Sequence, residues 1–281
     1  MQTLLNPPHE IIQQNILGAA AKAKTRILNI LVLGMMAGAF IAMGAQSSSL
    51  AVHNISNVGL ARTLAGCIFP VGLMMIVFVG GELFTGDCMM SMAWMQRKIH
   101  FADMLRTLVL VYVSNFIGAA LIAFLVAHSG QYDYSSGALG AYTIKVAYGK
   151  VHLSFANALV SGILCNILVC VAVLMAAAAK DIAGKVLAIF FPILAFVVSG
   201  FEHCVANMYY IPAGIFASKN AAYAAKALEL YNIDSTQLSS LNWGSFAISN
   251  LIPVTIGNII GGALLVGGAC FYLHGKALHE S

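Results

Sequence analysis

The chain has 281 residues, 60% of them hydrophobic and only 9% charged, with a mean hydropathy of +0.87. A soluble domain carries about 25% charged residues, so this composition excludes an ordinary soluble protein and predicts a polytopic membrane protein. The formal charge of +4 does not indicate a nucleic-acid partner, because the basic residues lie at segment ends and form no single patch.

Residues 1–26 read as a polar to amphipathic N-terminal segment. Pro7 and Pro8 stop any earlier helix, and Ile12, Ile16, Ala19 and Ala20 then recur at helical spacing. That pattern predicts a short helix at the membrane surface, closed by Lys22, Lys24 and Arg26. The first apolar run begins only after Arg26 and is long enough to span, which predicts a retained helix and no cleaved signal peptide.

Crossing the hydrocarbon core takes roughly 20 apolar residues. Six segments qualify: 27–49, 61–96, 104–128, 153–179, 186–217 and 245–273. The second and fifth are too long for one plain helix. Each carries a Gly pair or Ser-Gly just ahead of a glutamate, in GGELFTGD (Gly80–Asp87) and in SGFEHCVAN (Ser199–Asn207). Glu82 lies on Glu202 and Asp87 on Asn207 at one common offset, with Pro70 ahead of the first stretch and Pro192 ahead of the second. The pattern predicts two broken helices, interrupted near 80–87 and 199–207, in corresponding halves at about 27–128 and 153–273. Three spans in each half invert one half relative to the other, a common transporter architecture with breaks lining a pathway. The stretches 129–152 and 218–243 read as the two longest loops, the second with alanine-rich helical character over Ala221–Leu230, and 274–281 as a short tail.

With the N-terminus inside, the inner segments hold nine Lys and Arg residues and the outer ones five. Both termini are therefore expected to be cytoplasmic. Small residues at Gly34, Gly38 and Ala42, and at Gly257 and Gly261, allow close helix approach, within a protomer or between protomers.

An ionisable pair inside a bilayer is costly and marks a functional site by default. Glu202 and His203 are such a pair. Histidine changes charge near neutral pH, so at a constriction it can meet an anion as a cation or hand it a proton. Glu82 and Glu202 read more simply as acceptors for backbone N–H groups freed at the breaks. Thr85 offers a hydroxyl at the first break. Asn166, in GILCNILVC, either hydrogen-bonds the histidine or joins helices. Lys150, at the outer start of the fourth span, reads from spacing alone as an ordinary interface lysine. The run CMMSMAWM (Cys88–Met95) raises a soft-metal or cation carrier as the alternative. With no CxxC among the six cysteines, it reads first as packing, and no metal site or other cofactor is expected. The common nucleophile, zinc, P-loop and dinucleotide signatures are absent, which argues against an enzyme.

Four motifs in order, GGELFTG, GILCNILVC, SGFEHCVANM and LIPVTIGNIIGG, resemble the formate/nitrite transporter family over nearly the whole chain. The resemblance implies an all-α, aquaporin-like fold of six transmembrane helices in a homopentamer of the cytoplasmic (inner) membrane, with one pore per protomer. It implies passage of small monovalent anions of weak acids (formate, nitrite or hydrosulfide), with protons as a possible co-substrate. It makes His203 the central pore histidine, with Asn166 beside it and Thr85 opposite. It turns Lys150 into the vestibule lysine that draws anions in. It assigns the hydrophobic constrictions to Phe69, Leu73, Leu83, Val169 and Phe196. Asp87 departs from the family, many members of which carry an uncharged residue there. Ionised near the pore it would repel an anion, unless it pairs with a cation or caps the following half-helix.

Overall fold

The computed structural model describes residues 5–275; the expected tail from 274 therefore lies outside the described residues from 276 on. The chain runs through α1 (Pro8–Lys22), α2 (Ile27–Val52), α3 (Val58–Val79), α4 (residues 84–95), α5 (Phe101–Ala127), α6 (Ala138–Val151), α7 (Phe155–Ala178), α8 (Ile182–Ser199), α9 (Cys204–Ser218), α10 (Ala221–Tyr231) and α11 (Trp243–Gly275). Among the described residues there is no strand, only an isolated bridge between Leu5 and Ala179. Helices α2, α3, α5, α7, α8 and α11 are long and apolar enough to cross a membrane. Their lipid-length surfaces carry exposed Leu, Ile, Val and Phe, as a bilayer-embedded exterior requires.

The first half is α2, the broken pair α3/α4 and α5. The second is α7, the broken pair α8/α9 and α11. In each half the first and third spans touch backbone to backbone. A Cβ on Gly38 would run into the Asn115 backbone, and one on Gly261 into the Ile163 carbonyl. The small-residue stripes thus pack within the protomer. Helix α11 departs from α geometry over Phe246–Leu251, Ile260–Val266 and Phe271–Gly275, where it widens to π turns. Such turns gather at functional sites, and the first carries Asn250.

Three expectations are corrected. The stretch 129–152 is no loop: α6 fills most of it, with Leu139, Ile144 and Ala147 fully buried. Lys150 consequently sits in the last turn of α6, ahead of the fourth span. Helix α1 does not lay its apolar face on lipid. Ile12, Ile16 and Ala19 pack against Met89, Met90, Met92 and Ala93 of α4. Residues Cys88 to Ala93 of the Cys/Met run are therefore core.

Candidate functional site

Both breaks are shorter than expected. The chain leaves helix over 80–83 and over 200–203, so Asp87 and Asn207 lie in the half-helices that follow. Each break opens on a glycine at positive φ, Gly80 at 102° and Gly200 at 70°, a conformation that side chains with a Cβ rarely adopt.

A broken helix leaves backbone groups that must find partners inside the protein. At the first break Asn115 of α5 supplies them. Its Nδ2 donates to the carbonyls of Gly34 and Glu82, each at 2.8 Å, and its Oδ1 accepts from Phe84 N–H at 3.0 Å. At the second break Asn258 of α11 repeats the pattern. Its Nδ2 donates to the carbonyls of Gly162 at 2.8 Å and Glu202 at 3.0 Å, and its Oδ1 accepts from Cys204 N–H at 2.9 Å. Glu82 N–H donates to the Leu33 carbonyl, as Glu202 N–H does to that of Ser161. The two amides therefore do the work expected of Glu82 and Glu202.

The glutamates instead meet lysines. Lys150 Nζ lies 2.7 Å from Glu202 Oε1, and 5.3 Å from the centre of the Tyr210 ring. Glu202 Oε2 accepts from Asn207 Nδ2 at 2.7 Å and Asn250 Nδ2 at 3.2 Å, and Asn207 Nδ2 also reaches Asn250 Oδ1 at 2.7 Å. On the opposite side, Lys22 at the end of α1 pairs with both Glu82 and Asp87. Burial pulls the Lys22 ammonium down, but Asp87 and Glu82 more than reverse this and hold it above the usual lysine range. Asp87 thus has its cation, the first of the two roles the sequence leaves open for it.

His203 caps α9. Its Nδ1 accepts from Ala206 N–H at 3.0 Å, and its Nε2 lies 3.0 Å from Thr85 Oγ1. A ring nitrogen that accepts a backbone N–H carries no proton, so the hydrogen-bond network assigns the neutral Nε2–H tautomer. The Phe196 ring stacks on the imidazole at 6.0 Å and meets Phe69 edge-on at 5.4 Å. Asn166 does not reach the histidine. Its Nδ2 donates to the carbonyls of Thr85 at 3.1 Å and Asn258 at 2.6 Å, so it ties α4 to α11.

Two adjoining chambers open on the α6 side. One, of about 270 Å³, is lined by Phe69, Phe196, His203, Lys150, Asn207 and Arg62. The other, of about 640 Å³, adds Lys145, Glu202 and Tyr231. Leu73, Leu83 and Val169 are buried and line neither. A smaller chamber of about 180 Å³ on the α1 side is lined by Lys22, Gly86, Asp87 and Met90. Among the described residues no cluster of three or more His, Cys, Asp or Glu side chains gathers.

The resemblance sets Thr85 opposite His203, and the structure brings the two within 3.0 Å; Lys150 lines the same chamber as His203. It missed Asn115, Asn258 and Asn250. A signal was present for the first two: each begins an Asn-x-Ile-Gly tetrapeptide, at 115–118 and 258–261.

The sequence model described as formate/nitrite transporter matches residues 9–272. The chain is 39% identical to the uncharacterized transporter YrhG of Bacillus subtilis over 272 residues, covering 96% of this chain and 94% of that one. It is 36% identical to the formate channel FocA of Haemophilus influenzae, over 89% of this chain and 88% of that one. A solved structure titled a pentameric formate channel with formate bound superposes with a TM-score of 0.78 at 31% identity, over 89% of this chain and 98% of that one.

Proposed function

The chain belongs to the formate/nitrite transporter family, a family of membrane channels and transporters and not of enzymes, and from that premise we propose that it conducts small monovalent anions of weak acids, formate first among them, through one pore in each protomer of a homopentamer. Nitrite and hydrosulfide fall in the same chemical class. The α1 side faces the cytoplasm in this reading, on the strength of the lysine and arginine asymmetry, and the membrane is the inner one.

The observation that carries the reading is the Thr85–His203 contact at the foot of a chamber that also holds Lys150, with the Phe69–Phe196 pair beside it. A bare carboxylate entering an apolar medium loses solvation worth tens of kcal/mol. Protonating a carboxylate of ordinary pKa at neutral pH costs only about 4 kcal/mol, at roughly 1.4 kcal/mol per pH unit. The neutral acid is therefore the cheaper species at the constriction. His203 and Thr85 supply the hydrogen bonds that replace the lost water, the ring donating through Nε2–H. A neutral ring that gave up that proton would become an imidazolate, so the proton crosses with the substrate from the chamber water, or reaches Nδ1 first at the expense of the Ala206 cap.

Formate influx into proteoliposomes should rise as the external pH falls. His203→Phe should lower influx at least about tenfold, the loss of one hydrogen bond to a charged or charging group. Undiminished flux with the same pH dependence in the variant would sink the role assigned to the ring.

A further inference from the structure

Lys150 cannot by itself make the mouth attractive to anions, because Glu202 cancels its charge at 2.7 Å. The uncompensated cations of the outer chambers are Arg62 and Lys145, which make no ion pair among the described residues. Lys145 Nζ is held over the Tyr231 ring at 4.6 Å and near that of Tyr142 at 5.8 Å, a seat that leaves its charge in the chamber. Arg62 lines both chambers, on the first turns of α3. Its guanidinium is also seated. Nη1 donates to the Val198 carbonyl at 3.1 Å, and the group lies against the bare Cα of Gly200, where a Cβ would come within 3.0 Å of Nη1. The glycine that turns the chain at the second break thus also makes room for the arginine. Arg62 makes no other hydrogen bond among the described residues, so most of its five N–H donors remain for a ligand.

We propose that Arg62 is the anion-capture residue of this pore, and that it takes planar monoanions with two oxygens through its fork. The inference rests on the channel reading above and adds a discriminating step to it. A guanidinium meets two coplanar oxygens with two parallel N–H bonds, whereas a lysine ammonium acts as a point charge. Formate and nitrite both present two such oxygens, and a spherical anion such as chloride presents none. Lys145 adds charge to the mouth, while Lys150, balanced by Glu202, lines the chamber further in together with His203.

The test uses the full-length protein in proteoliposomes, with formate influx followed against concentration for wild type, Arg62→Lys and Arg62→Gln. Arg62→Lys should raise the half-saturating formate concentration about fivefold, the loss of one hydrogen bond to a charged partner in a partly wet site. Arg62→Gln should raise it further. Nitrite should compete with formate better than chloride does at matched ionic strength in wild type, and that preference should fall in Arg62→Lys. Arg62→Lys indistinguishable from wild type, or an unchanged nitrite-to-chloride ratio, would overturn the capture role while leaving the channel reading intact. Wild-type vesicles that pass no formate would overturn the channel reading, and this inference with it.

Discussion

At the first break Asn115 joins a span carbonyl, a glutamate carbonyl and the first N–H of the next half-helix; at the second Asn258 makes the same three bonds. Around these equal frames the side chains differ. The residue before the half-helix is Leu83 in one and His203 in the other, and the residue five beyond the glutamate is Asp87 in one and Asn207 in the other. The lysine comes from a different helix each time, α1 for the first and α6 for the second. The Lys22 cluster holds two carboxylates against one cation, while the Lys150 cluster holds one carboxylate, one cation and two amides. The backbone problem has one solution because a broken helix always frees the same groups. The charge problem has two, because each break meets its lysine from a different helix and with a different set of partners.

The largest effect expected from this contrast lies at the second break. Glu202→Leu strands the half-buried Lys150 ammonium without its partner, and breaking a buried pair in this way costs about 3–5 kcal/mol. Thermal unfolding in detergent should show a large loss, and Lys150→Met in the same chain should recover much of it. Glu82→Leu should cost clearly less, because Lys22 keeps Asp87. Equal losses at the two glutamates would break the comparison.

Next come the amides. Asn115→Leu and Asn258→Leu each leave the first buried N–H of a half-helix without its partner, at about 1–3 kcal/mol, while the span carbonyls keep their places in continuous helices. Equivalence requires comparable losses of thermal stability in the two variants. A variant that melts like wild type would show that its break is held by something other than the amide.

The course of the chain was legible in the sequence to the extent that hydrophobic length and a common offset carry it. Six spans, two breaks and the pairing of Glu82 with Glu202 follow from those two signals. The offset fails beyond the breaks. The link from the second half-helix to the last span carries α10 and is far longer than its counterpart at 96–100, so Asn115 and Asn258 fall out of register despite their shared Asn-x-Ile-Gly. Lone asparagines in apolar runs also read as helix glue. Helix α6 reads as loop in the sequence because its tyrosines, glycines and lysines dilute a buried face of Leu139, Ile144 and Ala147. The partners of Lys150 and Lys22 lie 52 and 65 residues away in the chain, a pairing that no periodicity encodes. His203 and Thr85 stand out in the sequence as polar residues in hydrocarbon, and the fold supplies their contact.

The smallest expected effect is also the sharpest, because Asp87→Asn gives the first break the residue the second has. Lys22 retains Glu82, so no cation is stranded, and the isosteric amide fills the same space, so stability should fall by less than in either glutamate variant. What changes is charge: the Lys22 cluster loses one carboxylate at the chamber lined by Gly86 and Met90. An anion entering from the α1 side then meets less repulsion. Formate flux in that direction should rise about two- to threefold at low ionic strength, and the gain should fade at high salt as screening shortens the reach of the charge. Flux in the opposite direction under saturating formate should change less, since capture there lies with the cations of the α6 side. A large loss of stability in Asp87→Asn would mean that the second carboxylate is needed to hold α1 in place. In that case the two breaks differ in architecture as well as in charge.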